Sequence, residues 1–374
     1  MVVSERALWL AWSQVNGVGP ISLMRLKRYF GTLAAAWDAP IAALAEVEGI
    51  GLQTAETIAQ GRSRIDPEAL WEEHGQQNPH FWTPADPNYP RLLLEIPDPP
   101  PVLYYRGKVI PSENQGLSSM VGIVGTRDPS EYGRRWTRRI TIALANAGFT
   151  VVSGLAQGID TEAHRSCVQA KGRTIAVLGT GVNIIYPWNN RALSRDIVQD
   201  GMLLSEYPAN TQPDRVNFPR RNRIIAGLCR AILVLEAPQK SGALITARVA
   251  NDYGRDVYVL PGSLDNLASL GCLELLNQGA QVILGEDHLL ELLADLPLFQ
   301  PERQKEQPTV TQLPLLGLTP QLDTVFQAVP VEPIAMDAIV GQAGLPVGEV
   351  LGALAQLELM GLVSQLPGMR YQRC

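Results

Sequence analysis

The residues with most chemistry to offer fall in loops between positions 125 and 242. Gly125-Thr126-Arg127-Asp128-Pro129-Ser130 follows one apolar run, and Ser153-Gly154-Leu155-Ala156-Gln157-Gly158-Ile159-Asp160 follows the next. Glycine lets a backbone approach an anion closely, a following helix offers free N–H groups, and Arg127 adds a forked donor suited to phosphate. A helix beginning near Ser130 would make one anion cradle, and the second loop another, with Asp160 read as the N-cap of its helix. A third loop, Gly179 to Arg191, carries Tyr186, Trp188 and Arg191; its rings either stack on exposed bases, at about 1–3 kcal/mol each, or simply pack. Asn217-Phe218-Pro219-Arg220-Arg221-Asn222-Arg223 sets three arginines ahead of an apolar segment, where Arg221 cannot be hidden cheaply without a partner. Ser241-Gly242 opens one more helix N-terminus. Each loop alone also reads as an ordinary turn, but several on one sheet describe a groove that tracks a phosphate backbone.

Charge agrees with that groove. The chain carries a net −6 over 374 residues, yet residues 121–240 hold 16 Lys and Arg against 9 Asp and Glu, a net of +7, between flanks of −4 and −9. A basic island in an acidic protein points to nucleic acid or another anionic ligand at that island. Neither Gly-x-Gly-x-x-Gly nor a Walker loop is present, so no cofactor is expected. Cys167, Cys229, Cys272 and Cys374 are widely spaced singletons that form no metal motif, and His164 lacks a partner that would make it a base or a ligand.

The elements positioning these loops are legible in the periodicity. Apolar runs at Met120–Val124, Thr150–Ser153, Thr174–Leu178, Met202–Leu204, Ala231–Leu235, Asp256–Leu260 and Gln281–Leu284 alternate with amphipathic stretches. That pattern predicts an α/β fold, a Rossmann-like doubly wound, mostly parallel sheet. Residues 1–70 read as a small helical domain with glycine turns at Gly17–Pro20 and Gly49–Gly51, of the helix-hairpin-helix kind. Residues 71–118, rich in proline and aromatics, read as an extended connector without helix. The sheet domain spans 119–296, a linker 297–318, and a winged helix 319–374, with helices at Gln321–Ala328, Ile334–Ala343 and Val347–Met360. No run of about 18 apolar residues occurs, so the protein is expected in the cytoplasm and away from membranes.

The loops together resemble those of the DNA-processing protein A (DprA/Smf) family. The resemblance rests on Gly125-Thr126-Arg127 with Ser130, Gly154-Leu155-Ala156-Gln157-Gly158-Ile159-Asp160, Tyr186-Pro187 with Asn190, Phe218 to Gly227, Ser241 to Thr246, and Gly254-Arg255-Asp256-Val257 running to Ser263. It implies a sterile-alpha-motif-like N-terminal domain and a homodimer that binds and protects single-stranded DNA and helps load the RecA recombinase onto DNA coated by single-stranded-DNA-binding protein. The residues it implies for DNA contact are Gly125, Thr126, Arg127, Ser130, Gly154, Leu155, Ala156, Gly158, Asp160, Trp188, Arg191, Arg221, Asn222, Arg223, Ser241 and Gly242. Trp188 stands where many relatives place a lysine, so stacking or Arg191 takes over that cation's duty.

Two other function classes compete. A nucleotide phosphoribohydrolase of the lonely-guy type has a similar fold, but it pairs an arginine with a glutamate that Ser241-Gly242-Ala243-Leu244-Ile245-Thr246 lacks. A protein-binding scaffold would work through the winged helix, whose presumed recognition helix carries Glu349 and Glu358 and no Lys or Arg.

Overall fold

The computed structural model describes residues 3–294, 319–330, 333–360, 362–366 and 369–373, so the expected linker and Cys374 lie outside the described residues. The chain divides into two compact units, Met1–Gln300 and Pro301–Cys374.

Nine strands form the sheet of the first unit: β1 (Phe81–Trp82), β2 (Leu103–Gly107), β3 (Met120–Val124), β4 (Thr150–Ser153), β5 (Thr174–Leu178), β6 (Met202–Ser205), β7 (Ala231–Val234), β8 (Asp256–Val259) and β9 (Gln281–Val282). Their order is β1-β2-β6-β5-β4-β3-β7-β8-β9. Every pair from β6 to β9 is parallel, whereas β2 joins β6 and β1 joins β2 antiparallel. All five residues of β3 are buried, because both faces of the sheet are covered. Val121 and Ile123 face helices Glu131–Asn146 and Ile159–Gln169, through Ile140, Leu144, Ile159 and Ala163. Met120 and Val124 face helices Asn217–Leu228 and Gly242–Asp252, through Ile224, Ile225 and Ala247. The chain winds from β3 out to β6 and returns at β7 on the other side of β3. The carboxyl ends of β3 and β7 therefore flank the switch point where such sheets take ligands.

The expected connector is not an extended tether. Helix Pro67–Gln77 runs into it, short helices form at Arg91–Leu94 and Pro111–Asn114, and β1 and β2 extend the sheet. Pro67 and Pro111 sit at the first helical turn, where a missing N–H is harmless. Tyr105 stacks on Trp82 with ring centroids 4.0 Å apart, and Leu103 and Tyr104 are buried. Tertiary pairing with β6 overrides the local proline signal.

The N-terminal helices Glu5–Ser13, Pro20–Phe30, Leu33–Asp38, Ile41–Ala45 and Leu52–Arg62 enclose their own core around Leu8, Trp9, Trp12, Leu23 and Leu26. In the second unit, helices Pro320–Gln327, Met336–Ala343 and Val347–Leu359 accompany a small sheet ordered β10-β12-β11, from β10 (Ile334–Ala335), β11 (Val363–Leu366) and β12 (Arg370–Arg373). Ile334 and Ala335, expected at the head of a helix, instead pair with Tyr371 and Arg370. Among the described residues no single helix is long and apolar enough to cross a membrane.

His164 is fully buried beneath the site, as a core residue. Its Nδ1 meets the Thr174 hydroxyl at 2.7 Å; that hydroxyl donates to Val151 O, so Nδ1–H is the donor to it. Burial, reinforced by the charge of Arg221, holds its pKa down at about 3. The imidazole is neutral in the fold, whereas the unfolded chain takes up its proton below about pH 6.5. Stability is therefore present above that value and falls, by up to about 1.4 kcal/mol per pH unit, as pH drops towards about 3. Denaturant unfolding at about pH 7 and about pH 4.5 should show this loss, and His164→Gln should lessen the difference between the two pH values.

Candidate nucleic-acid interface

A cleft of about 580 Å³ opens at the carboxyl ends of β3 and β7, walled by the loops after β3, β4 and β5 and by the N-termini of helices Asn217–Leu228 and Gly242–Asp252. Arg127 reaches into it as an exposed side chain, its guanidinium 6.0 Å from the Phe218 ring centroid, and no carboxylate pairs with it among the described residues. Ser241 caps helix Gly242–Asp252 by accepting from Ala243 N, and Gly242 is exposed with no other group within 4 Å of its Cβ position. This helix end presents its N–H groups and positive dipole end to the cleft. Tyr186, 47% exposed, lies 5.5 Å from Phe218 ring to ring, so two aromatic faces line the same space.

Sequence reasoning missed Arg215. It is exposed, lines the cleft, and makes no ion pair among the described residues. Its only sequence signal was membership of the basic island.

The loop after β4 is built around a buried arginine. Arg221, 4% exposed, donates through Nη1 to Gly154 O at 2.7 Å and to Val177 O, and through Nε to Asn222 Oδ1 at 3.3 Å. A Cβ on Gly154 would lie 2.5 Å from Nη2, so this glycine makes room for a guanidinium of the protein itself rather than for a phosphate. Asp160 is not an N-cap: Gly158 holds that position, with φ +88°, and its Cβ would lie 2.3 Å from Thr126 O where the two loops cross. Asp160 is the second residue of the helix, in its first turn, accepting from Gly154 N at 3.1 Å and Ala156 N at 3.4 Å. Burial raises its carboxyl above the ordinary carboxylate range, against the pull of Arg221 and the two amides. Burial likewise lowers the Arg221 guanidinium to about 10, opposed by Asp160.

Several expected contacts do other work. Ser130 does cap helix Glu131–Asn146, accepting from Gly133 N at 3.1 Å, but the N-terminus is already filled by a carboxylate. Glu236 accepts from Ser130 N at 2.8 Å and Ser130 Oγ at 2.6 Å, so that cradle is closed to phosphate. Thr126 shapes its turn, Oγ1 accepting from Asp128 N and its own N–H donating to Glu236 O. Gly125 packs against Ile159. Leu155 is wholly buried in a cluster with Ala176, Leu178 and Ile197, and its carbonyl accepts from Asn190 Nδ2. Arg223 is turned away from the cleft and pairs with Asp98 at 3.2 Å and with Glu206. Gly125, Thr126, Ala156 and Asn222 do line the cleft. Trp188, 67% exposed, does not; it stands outside it with the Arg191 guanidinium 3.9 Å over its ring. In the N-terminal domain Arg25 is held by the second glycine turn, donating to Glu48 O and Oε1.

Comparison with known proteins converges on one family. The model of DNA recombination-mediator protein A matches residues 80–294, and the DprA winged helix domain matches residues 307–369. The chain is 52% identical to Protein Smf of Synechocystis sp. over the whole of both chains, and 42% identical to DNA processing protein DprA of Streptococcus pneumoniae over 61% of this chain and 79% of the relative. Among solved structures, DNA processing protein A of S. pneumoniae superposes with a TM-score of 0.68 at 32% identity, covering 80% of this chain and all of the other. DNA processing protein A of Helicobacter pylori, described for its single-stranded DNA binding mode, gives 0.52 at 32% identity over 58% of this chain and 97% of the other. The chain therefore belongs to the DprA/Smf family of DNA-processing recombination mediators.

Proposed function

We propose that this chain binds single-stranded DNA in the cleft between β3, β4 and β7, contacting phosphates through Arg127, Arg215 and the N-terminus of helix Gly242–Asp252. The observation that carries this reading is the coincidence of unpaired exposed arginines with a free helix N-terminus and two aromatic faces in one space. Asp160, the carboxylate among the lining residues, is turned to backbone amides and Arg221, and repels an incoming phosphate little. Phosphate contact joined to stacking on Tyr186 and Phe218 favours flexible single strands of any sequence. The same cleft offers no exposed acid paired with an arginine, which supports a binding role without phosphoribohydrolase chemistry. Loading of RecA onto DNA coated by single-stranded-DNA-binding protein, a homodimeric state and a cytoplasmic site of action are what the family resemblance implies and form part of the same proposal.

Arg127→Ala tests it. The variant should weaken binding of every single-stranded sequence and make the slope of log K against log salt shallower by about 0.7, the contribution of one single-strand phosphate contact. Its melting point should barely move, since the side chain is exposed and unpaired. An unchanged slope would remove Arg127 from the DNA path.

A further inference from the structure

A second, smaller cleft of about 230 Å³ lies on the other face of the sheet's carboxyl edge, between helices Glu131–Asn146 and Ile159–Gln169 and the turn at Pro187–Asn190. Its cations are Arg134 and Arg165, both partly exposed on their side chains at 40% and 51%. Arg134 Nε is buried with no hydrogen-bond partner among the described residues, its nearest carboxylate being Glu131 at 3.7 Å. Arg165 reaches Glu162 only at 3.7 Å, and Glu162 is shared with Arg138 at 3.1 Å. With Arg138, three arginines meet the two carboxylates Glu131 and Glu162 at this cleft, so positive charge exceeds negative there. The two clefts touch. Gln157 and Pro187 line both the small cleft and a narrow recess that shares Arg127, Tyr186 and Arg221 with the main one.

The geometry points to a continuous DNA path: a single strand held in the main cleft crosses the saddle at Gln157 and Pro187 and sets its next phosphates against Arg134 and Arg165. This rests on the main cleft being the DNA site, and it adds a second subsite on the opposite face. The chemistry required is a flexible polyanion that can turn over a ridge; a duplex, with its long persistence length, cannot follow the saddle. Arg191 over Trp188 stands at the neighbouring rim of the same turn.

The test uses fluorescein-labelled oligothymidylates of about four and about twelve nucleotides, within the span of known single-strand sites, titrated against the full chain and its Arg134→Ala/Arg165→Ala variant over a range of salt. The four-nucleotide probe should bind both proteins equally. The twelve-nucleotide probe should lose about tenfold in affinity to the variant, with a slope of log K against log salt shallower by about 1.4, two phosphate contacts. Equal loss for both probes, or loss for neither, overturns the path. Arg127→Ala, run in parallel, separates the two readings: if it leaves both probes unaffected, the main cleft itself is wrong, whereas loss there without a length-dependent effect of the double variant rejects the second subsite alone. Arg165→Glu guards against a compensating neighbour, and should deepen the loss on the long probe only.

Discussion

Replacing Arg221 by alanine should destabilise the first unit by about 3–5 kcal/mol, the usual consequence of removing one partner from a buried charged pair. That is a large share of the roughly 5–15 kcal/mol that holds a domain together. The guanidinium joins the ends of β4 and β5 by donating to Gly154 O and Val177 O, and without it both carbonyls and the Asp160 carboxylate lose their buried donor or counter-charge. The pH dependence identifies the cause. Burial already raises the Asp160 carboxyl, and loss of Arg221 raises it further. A carboxyl with a raised folded value contributes fully when protonated and loses that contribution as pH rises through the folded value. The deficit of Arg221→Ala relative to the parent should therefore be greatest near neutral pH and shrink on acidification. Relief of His164, whose depressed pKa owes part of its shift to Arg221, acts in the same direction. Chemical unfolding of both proteins at two pH values measures it. A variant as stable as the parent, with weakened DNA binding, would instead make Arg221 a direct phosphate ligand.

The contrast between Arg221 and Arg127 shows what could be read in the residues alone. The parallel strands β3 to β8 were legible because strands covered on both faces are mostly apolar runs, and the loops that follow them were legible for the same reason. β1 and β2 were not, since they are short edge strands among prolines whose pairing partner, β6, comes about a hundred residues later. Arg127 reads correctly as a surface cation because its loop supplies no acid that reaches it. Arg221 and Arg223 look equivalent in a cluster, yet helix Asn217–Leu228 points one at the β4 and β5 carbonyls and the other at Asp98 and Glu206. Arg215 hid in the polar stretch before the helix. Partners distant in sequence decide which arginine is free, and spacing does not reveal them.

The same long-range logic makes Glu236 the second residue with a large expected effect. Its carboxylate, in a residue 1% exposed, accepts from Ser130 N, from Ser130 Oγ and from Asn266 Nδ2 at 3.0 Å, and a Cβ on Gly133 would lie 2.3 Å from its Oε2. It sits against the N-terminus of helix Glu131–Asn146, where an anion is favoured by the helix dipole, and it occupies the place a bound phosphate takes in nucleotide-binding sheets of doubly wound topology in general. Glu236→Ala strands three donors in a buried site and should cost about 3–5 kcal/mol, since each unsatisfied buried group costs on the order of 1–3 kcal/mol and water entering the vacated space recovers part of it. Glu236→Gln should cost less, because one oxygen still accepts while the amide N–H₂ opposes a donor. In both variants the DNA salt slope should match the parent, because Glu236 faces the helix rather than the strand path and Arg127 stays exposed. A steeper slope in Glu236→Ala would show that the vacated helix N-terminus had gained a phosphate. A melting point unchanged in Glu236→Ala would show that the carboxylate is not the group closing this cradle, and Ser130 would return to the set of DNA contacts.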